Sequence, residues 1–408
     1  MQNIHRATLD NYKEIVGEEI VNNLRAIGER LSDLRILHIN STAAGGGVAE
    51  ILQRLVPLTN DAGIKADWHV MKAEEEFFKI TKSFHNALHG VPIQLSQDMF
   101  DSYLSTAEAN QDILEGDYDF VFVHDPQPTA LIKYRKGGKW IWRCHIDVSE
   151  PNPELWSFLD SHIKKYDSTM YSMDTFEKKT AIRQFIVPPA IDPLSDKNKE
   201  LKDHEISTVL EKYDIDPDKP IIAQISRYDK LKDPEGVIDA YIATKDHYDC
   251  QLVLSGSAAV DDPEASEVLR NTEIKAQDHR NIHVLKNLTD IEVNALQRAS
   301  AVILQKSLKE GFALTVSESL WKGTPVIGGN TGGIPLQVIN GQNGFLVNSV
   351  ADAVNALIQI FRKTKIAKEM GMNGKEHVRR NFLMTRLLRD HLFILLTLMH
   401  VPGKLKQL

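Results

Sequence analysis

The stretch of sequence that decides the fold is Ala301 to Gly333, AVILQKSLKEGFALTVSESLWKGTPVIGGNTGG. It opens with a short apolar run, 301–304, which has the length and composition of a buried strand. A helical pattern follows over 312–321 and is ended by Gly323 and Pro325. A second short strand, 325–327, leads into a Gly-rich loop at 328–333. This order of strand, helix and strand predicts one unit of a parallel sheet.

Two glutamates frame this unit. Glu310 comes just before the predicted helix, and Glu318 lies within it. Ionised carboxylates accept the hydrogen bonds that sugar hydroxyls donate, and the N-terminus of a helix favours an anion such as phosphate. Two solvated helix glutamates are the simpler interpretation, but the Gly-rich loop one strand later favours a ligand site.

A second Gly-rich turn occurs near the start of the chain. The strand 34–39 (LRILHI) breaks at Asn40, and the glycines 45–47 follow before a helix that starts at Val48. This arrangement aims backbone N–H groups at phosphate. It has neither the G-x-G-x-x-G spacing nor a Walker lysine. A tight turn that merely needs small residues therefore stays open as an alternative.

Strands and helices alternate through both halves of the chain. The further strands are predicted at 66–71, 120–123, 140–144, 169–172, 185–187, 221–225, 251–254 and 282–285. This repetition predicts an α/β protein with two parallel, doubly wound sheets, joined by a Pro- and charge-rich connection at 188–220. Polar residues that follow strand ends mark a ligand crevice. They are Asn40, His124, Asp125, His145 and Asp147.

Composition excludes several classes of protein. With 408 residues, the chain has enough material for two or three domains. A net charge of −8 argues against general nucleic-acid binding, and we expect neither a membrane span nor a signal peptide. The two cysteines, Cys144 and Cys250, form no metal-ligand spacing and favour a reducing, cytoplasmic compartment. The acidic pairs over 214–218 are interpreted as turns, so no metal site is predicted.

Two cations follow the strand 221–225. Arg227 and Lys232 stand in the sequence S-R-Y-D-K-L-K, where a guanidinium and an ammonium could bind two oxygens of a diphosphate. Two ordinary surface cations are the competing interpretation.

The E-x7-E spacing, the G-T-P-V-I stretch with its Gly-Gly loop, and S-R-Y-D-K-L-K together resemble the retaining glycosyltransferases of family 4. The resemblance implies the GT-B fold, two Rossmann-like domains that face a central cleft. It implies that Glu318 binds the donor ribose and that Glu310 lies beside the donor sugar. Arg227 and Lys232 would stabilise the departing diphosphate, which Gly332 and Gly333 would line. Asp233 departs from the family, where many members have Gly, so the local turn geometry is in question.

Longer runs at 38–50, 84–88, 123–128, 142–147 and 188–195 resemble, within that family, the trehalose glycosyltransferring synthases. This resemblance implies reversible, retaining transfer of glucose from UDP-, ADP- or GDP-glucose to free glucose, which gives α,α-trehalose. No cofactor is expected to be obligatory. A divalent cation could stimulate the reaction but is not expected to be bound.

The same resemblance assigns residues in the first half. Gly46 and Gly47 would bring backbone amides to the diphosphate, and His145 would face the donor glucose as a catalytic residue. Acceptor-binding roles would go to Asn40, Asp125 and Gln127. A core histidine and structural capping of strand ends are the respective alternatives.

The expected domains are an acceptor-side domain at 1–200, a nucleotide-sugar domain at 201–382, and a helix at 383–408 that packs back on the first. We expect small-molecule substrates as partners, and a homodimer by family resemblance.

Three alternatives stay open. A trehalose phosphorylase would use glucose 1-phosphate or phosphate and leave Glu318 idle. A transferase to another acceptor, such as a sugar phosphate, could use Lys133, Arg135 or Arg143. The third alternative is a non-enzymatic sensor of sugar nucleotides, against which the complete set of Glu310, Glu318, Arg227 and Lys232 argues.

Overall fold

The computed structural model describes residues 8–44, 46–256 and 263–399, and the chain divides into two compact units. Unit 1 comprises the chain up to Ala190 and again from Met384, and unit 2 is Ile191–Leu383. From sequence we divide the chain after residue 200. The ten residues before that point are held within unit 2, where the Asn294 side-chain amide donates to the carbonyls of Asp196 and Lys199.

Unit 1 contains a six-stranded parallel sheet with the strand order β2-β1-β3-β4-β5-β6. Its strands are β1 Arg35–Asn40, β2 Lys65–Val70, β3 Phe120–His124, β4 Lys139–Arg143, β5 Ser168–Tyr171 and β6 Arg183–Ile186. The chain moves outward from β1 to β2 and then returns to place β3 on the other side of β1. Ligands bind at such a reversal in open α/β sheets.

The helices up to β6 cover both faces of this sheet. They are α1 Lys13–Val16, α2 Glu18–Glu29, α3 Gly47–Asp61, α4 Glu75–Leu88, α5 Gln97–Ala109 and α6 Pro153–Ile163. Short 3-10 segments lie at Leu9–Tyr12, Gln111–Leu114, Thr129–Tyr134 and Asp174–Phe176.

Two details of unit 1 differ from the sequence prediction. Helix α5 was not predicted, although Ser96 caps it by accepting the Met99 N–H at 3.4 Å. The apolar spacing over residues 1–33 predicts an amphipathic helical segment with Ile20, Val21 and Leu24 among its apolar positions. Val21 and Leu24 are buried as this predicts, whereas Ile20 is 42% exposed and does not belong to the apolar face.

The core of unit 1 is aromatic. Strand β3 presents Val123, strand β4 presents Trp140 and Trp142, and α4 and α5 add Phe84 and Tyr103. Both strands are almost wholly buried, as continuous apolar strands of a sheet covered on two faces should be. This packing gives rigid support to the loops that follow these strands.

Unit 2 repeats the architecture with the order β12-β11-β10-β7-β8-β9, and all of its strand pairs are parallel. Its strands are β7 Ile221–Ile225, β8 Gln251–Gly256, β9 Ile282–Lys286, β10 Val302–Gln305, β11 Val326–Gly329 and β12 Gly344–Val347. The chain reverses between β7 and β10. The prediction of two parallel, doubly wound sheets is therefore confirmed.

Helices flank the second sheet in the same way. They are α7 Asp203–Lys212, α8 Pro234–Lys245, α9 Pro263–Ala276, α10 Asp290–Ala299, α11 Leu314–Trp321, α12 Ile334–Gln337, α13 Val350–Arg362 and α14 Thr364–Asn381. A 3-10 turn at Lys230–Lys232 precedes α8. Helix α11 begins two residues later than predicted, because Ala313 has a left-handed conformation (φ 66°) that cannot continue a helix.

The last helix, α15 Met384–Met399, belongs to unit 1 and packs against α2 and α3. Its buried Arg386 donates from Nη2 to the carbonyls of Pro188 and Pro189, each at 2.8 Å. Arg143 of β4, also buried, donates to the neighbouring Val187 carbonyl at 2.6 Å. None of the helices in the described ranges combines the length and apolar character needed to cross a membrane.

Candidate active site

The loops after β7 and β10 meet at the reversal of the second sheet. Strands β7 and β10 are paired neighbours, and the Leu308 N–H of one loop donates to the Leu231 carbonyl of the other at 2.7 Å. The stretches 226–233 and 306–313, which are far apart in the sequence, therefore form one continuous surface.

The centre of this surface is an ion pair. Lys232 Nζ lies 2.7 Å from Glu310 Oε2, and the two side chains are only 13% and 11% exposed. Ser307 donates its hydroxyl to the same carboxylate oxygen at 3.3 Å, and Gln224 Nε2 donates to the Lys232 carbonyl at 2.7 Å. The structure thus brings together two of the predicted catalytic residues and fixes both in place.

The residue after Lys232 forms a second ion pair. Asp233 has a left-handed backbone (φ 53°), the conformation that glycine adopts most easily, so the turn questioned from sequence is accommodated without Gly. Its Oδ1 accepts the Gly236 N–H at the start of α8, and its Oδ2 pairs with Lys306 Nζ. Lys306 is 6% exposed and was not singled out from sequence. The unusual aspartate was the only sequence signal for it.

Gly332 and Gly333 pack directly against the residues around Glu310. A Cβ on Gly332 would lie 1.8 Å from the Glu310 carbonyl oxygen, and one on Gly333 would lie 2.8 Å from Phe312 Cδ2. Gly332 also has a left-handed φ of 52°. Any side chain at these positions would displace the Glu310 loop, so the glycines are required for its close approach to the loop after β11.

Glu318 faces a different set of side chains. It lies on α11, where its carboxylate accepts from Gln297 Nε2 at 3.4 Å and has Lys197 Nζ at 4.0 Å. One turn on, Lys322 donates to the Asn198 side chain at 2.8 Å and to the Glu318 carbonyl at 3.1 Å. Burial lowers the pKa of Lys322 to about 7, which the nearby Glu318 carboxylate partly opposes.

Arg227 is exposed, unlike Lys232 and Glu318. Its side chain is 54% exposed, and Nη2 pairs with Asp229 Oδ2 at 3.4 Å rather than with Glu310. Asp229 in turn accepts the Leu231 N–H at 2.8 Å. The guanidinium is thereby placed at the mouth of the loop, where it is open to solvent.

The first sheet has its own set of polar side chains at the reversal between β1 and β3. Asn40 ends β1 and is buried; its Nδ2 donates to the Thr42 carbonyl at 2.7 Å, and its Oδ1 accepts from Trp68 Nε1 at 2.8 Å. Asn40 therefore shapes the loop that leads to α3. Trp68 was not identified from sequence.

The predicted phosphate-binding glycines stand at the start of α3. Gly46 is the N-cap residue and Gly47 the first helical residue, while Gly45 lies outside the described residues. Gly46 has an extended φ of −165°, and a Cβ there would meet no atom within 4 Å in the part of the chain that the structure describes, its two chain neighbours aside. Open space of this kind leaves the first N–H groups of the helix accessible to an anion.

Asp125 links the ends of β3 and β4. Its backbone is left-handed (φ 65°), its N–H donates to the Arg143 carbonyl, and its Oδ1 accepts the His145 N–H, both at 2.7 Å. Burial raises the pKa of Asp125 to about 6, although the His145 N–H and the Arg143 charge both oppose the rise. One carboxylate oxygen is thus occupied in placing His145. Nearby, Gln127 Oε1 is buried with no hydrogen-bond partner among the described residues.

His145 is the end of a row of imidazoles. Its Nε2 lies 3.1 Å from His124 Nδ1, and His124 Nε2 lies 3.0 Å from His38 Nδ1. Burial lowers the pKa of His124 and His145 well below the usual value and that of His38 to about 3, so all three rings are neutral at pH 7. His38 was missed because it lies within β1 rather than after it.

The described residues contain no group of three or more His, Cys, Asp or Glu side chains arranged to hold a metal ion. The acidic positions over 214–218 form a turn, in which Asp214 has φ 54° and Asp216 accepts the Asp218 N–H at 3.0 Å.

Comparison with known families agrees with this two-part organisation. Residues 38–178 match the family described as "Trehalose synthase, N-terminal domain", and residues 206–377 match "Glycosyl transferases group 1". The chain is 46% identical to "Trehalose synthase" of Thermococcus litoralis over 396 residues, which cover 95% of this chain and 96% of the relative.

Two more distant likenesses are informative. "Trehalose phosphorylase" of Pleurotus pulmonarius is 28% identical, with 91% of this chain and 58% of the relative covered. The solved structure of "Sucrose-phosphate synthase (tll1590)" from Thermosynechococcus elongatus has a TM-score of 0.72 at 16% identity and covers 90% of this chain and 99% of that chain. Together with the family matches, this likeness confirms the predicted GT-B fold.

Proposed function

Because the chain belongs to the trehalose synthase family, we propose that it is a retaining glucosyltransferase that moves glucose from a nucleoside-diphosphate-glucose to free glucose. The product is α,α-trehalose, and the reaction is reversible. The observation that carries this proposal is the Lys232–Glu310 ion pair at the reversal of the second sheet. It presents a fixed cation and a fixed carboxylate at the place where α/β sheets bind ligands.

Unit 2 would hold the donor. Lys232 and Arg227 would neutralise the charge that develops on the diphosphate as the glycosidic bond breaks. Glu318 would accept hydrogen bonds from the ribose, and Glu310 would accept them from hydroxyls of the donor glucose. The backbone at Gly332 and Gly333 would lie along the phosphates. The pairing of Glu318 with Gln297 and Lys197 supports this role, since it holds the carboxylate in one orientation.

Unit 1 would hold the acceptor glucose and contribute backbone amides at Gly46 and Gly47. His145 would contact the donor glucose, and Asn40, Asp125 and Gln127 would define the acceptor site. The buried, unpartnered Gln127 Oε1 supports a ligand contact there, because a sugar hydroxyl would provide the missing donor. Asn40 and Asp125 would act mainly through the loops that they hold.

In the proposed reaction the bond from glucose C1 to the diphosphate oxygen breaks, and the anomeric oxygen of the acceptor forms the new bond on the same face. The departing phosphate oxygen accepts the acceptor's proton. Such a front-face route retains configuration without a covalent enzyme intermediate. No metal is assigned a step. We expect the protein to be a homodimer. We also expect it to act in the cytoplasm, because Cys144 and Cys250 are buried, free thiols, as is usual in a reducing compartment.

The test is a donor panel. The purified protein is incubated with UDP-, ADP- or GDP-glucose and free glucose, without added metal, and in parallel with glucose 1-phosphate and glucose. The proposal predicts trehalose and free nucleotide from at least one nucleotide donor. Trehalose from glucose 1-phosphate alone would contradict it and identify a phosphorylase, the activity named for the Pleurotus relative.

A further inference from the structure

Three imidazoles form a continuous hydrogen-bonded row behind the candidate site of unit 1. They come from adjacent strands: His38 from β1, His124 from the end of β3, and His145 just after β4. The two N···N distances, 3.0 and 3.1 Å, are hydrogen-bond distances. His38 is 2% exposed and its ring stacks on Phe122, with ring centroids 4.9 Å apart.

A neutral imidazole has one N–H and one lone pair, so each contact in the row needs a donor on one side and an acceptor on the other. Each contact joins Nδ1 of one ring to Nε2 of the next. If His145 donates from Nε2, then His124 accepts at Nδ1, carries its proton on Nε2, and donates to His38 Nδ1. The opposite arrangement puts every proton on Nδ1. The three rings therefore share one tautomer, all Nε2–H or all Nδ1–H.

We infer that His124 and His38 are positioning residues that determine which nitrogen of His145 carries its proton. Because Nε2 of His145 is occupied by His124, only Nδ1 is left for a ligand. In the all-Nδ1–H arrangement that atom donates, and in the all-Nε2–H arrangement it accepts. The ring oxygen and the anomeric oxygen of the donor glucosyl group only accept hydrogen bonds, so a contact of His145 Nδ1 with either atom selects the all-Nδ1–H row. This inference rests on the proposed contact between His145 and the donor.

Burial is the main cause that keeps the row neutral, and the surrounding groups are as follows. Arg143 contributes a buried positive charge near His124 and His145, and His391 of α15 lies beside His38 with ring centroids 6.2 Å apart. The Asp125 carboxylate accepts the His145 backbone N–H and leaves the imidazole free. His391 is outside the row, since its Nδ1 donates to the Leu387 carbonyl at 2.9 Å. It is therefore a matched control.

The experiment is nitrogen-15 NMR of the full-length protein labelled at its histidines, at pH 7 to 7.5, which distinguishes protonated from unprotonated ring nitrogens. Signals are assigned by comparison with the His38→Phe, His124→Phe and His391→Phe variants. We expect His38, His124 and His145 to have the same protonated nitrogen and to shift toward Nδ1–H when whichever of UDP-, ADP- and GDP-glucose supports turnover is added without free glucose. The wild-type protein alone can overturn the inference: it would do so if the three rings had different tautomers or if one of them were charged at this pH.

The variants separate positioning from packing. In His38→Phe, His124 should carry its proton on Nδ1 even without ligand, because a buried N–H without a partner is rarer than a buried acceptor without one. In His124→Phe no neighbouring ring fixes the tautomer of His145. We expect kcat to fall by roughly tenfold with KM for glucose unchanged, because the imidazole has lost its orienting partner. His391→Phe should change neither the tautomers nor kcat. Equal losses in His391→Phe and His124→Phe would indicate packing alone and overturn the inference.

The proposed role of His145 in the reaction is tested separately, by the turnover of a His145 variant. His145→Ala should abolish most of the turnover if His145 contacts the donor. Full turnover in that variant would remove the proposed role of His145, and the positioning role would fall with it, even if the three rings share a tautomer.

Discussion

Lys232 and Glu310 lie 78 residues apart in the chain, yet their side chains form an ion pair with an Nζ–Oε2 distance of 2.7 Å. The pair joins the loop after β7 to the loop after β10 and is shielded from solvent on most sides. The charges therefore interact more strongly than surface charges would. A bound diphosphate would find the lysine already oriented, which is the condition for electrostatic stabilisation of a leaving group.

Replacing Lys232 by Met should reduce kcat by roughly 10²- to 10³-fold, the range for loss of one charge-stabilising group at a reacting centre. The measurement is steady-state trehalose formation, with circular dichroism to show that the variant is folded. Lys230→Ala is the matched control, since Lys230 is on the same 3-10 turn but pairs with Glu267 at 3.7 Å near the surface. Equal losses in both variants would contradict the assignment of Lys232.

The Asp233–Lys306 pair predicts that the effect of replacing Asp233 on stability depends on whether Lys306 is present. Asp233→Gly should relieve a left-handed backbone yet lower the free energy of unfolding by about 2 kcal/mol, because the buried Lys306 loses its counter-charge. Adding Lys306→Met should restore most of that loss. Urea unfolding of the two single variants and the double variant measures the coupling. Additive effects in the double variant would show that the two residues do not interact.

Ala313 has a conformation that L-residues disfavour, with φ 66° and ψ 75° at the start of α11. Ala313→Gly should raise the free energy of unfolding by about 1 kcal/mol, the approximate cost of a left-handed non-glycine residue less the entropy that Gly adds to the unfolded chain. Ala351→Gly, in the first turn of α13, is the control and should have the opposite sign. A loss of stability in Ala313→Gly would contradict the backbone geometry.

Acid should destabilise unit 1. Burial lowers the pKa of His38 to about 3 and that of His391 to about 4, and it lowers the pKa of His124 and His145 well below the usual value. In the unfolded chain these groups titrate near pH 6.5, so their stabilising contribution is complete above that pH and is lost as the pH falls. The pKa of Asp125 is raised to about 6, so just below pH 6 the folded protein binds one proton that the unfolded chain does not yet bind. Asp125 therefore offsets part of the destabilisation caused by the histidines.

Unfolding should therefore take up protons between pH 6.5 and about 5. Each proton taken up lowers the free energy of unfolding by about 1.4 kcal/mol for each pH unit of acidification. Urea unfolding at pH 7.0, 6.0 and 5.0 gives the slope directly. His38→Phe should reduce the slope by about one proton. A free energy of unfolding that stays constant or rises over this range would contradict the picture of buried, neutral histidines.

The sheets were predictable because their strands are short apolar runs closed by turn residues. Helix α5 was not, since its sequence QDMFDSYLSTAEA has a mixed apolar pattern and its register depends on the packing of its Phe100 and Tyr103 against Phe84 of α4. The prediction that Ile20 lies on the buried face of its helix was wrong for a related reason. An apolar residue on a helix does not show which face the rest of the protein covers.

Sequence spacing indicated the two glutamates as a pair, but the partners of each come from elsewhere in the chain. Glu310 pairs with Lys232, whereas Glu318 faces Lys197 and Gln297. The histidine row could not be predicted either, because it depends on the strand order β1-β3-β4, which brings residues 38, 124 and 145 side by side. Strand order is a property of the folded sheet and leaves no mark at single positions.

The most direct test of the proposed reaction follows the stereochemistry of a labelled product. Glucose carrying carbon-13 at C1 is supplied as acceptor with the active nucleotide-glucose, and the product is examined by carbon-13 NMR while released nucleotide is counted. We predict one equivalent of nucleotide per trehalose, with the label at an α-anomeric carbon of an α,α-linked product. A β-linked product, or nucleotide release that yields only unlabelled free glucose, would contradict retaining transfer to glucose.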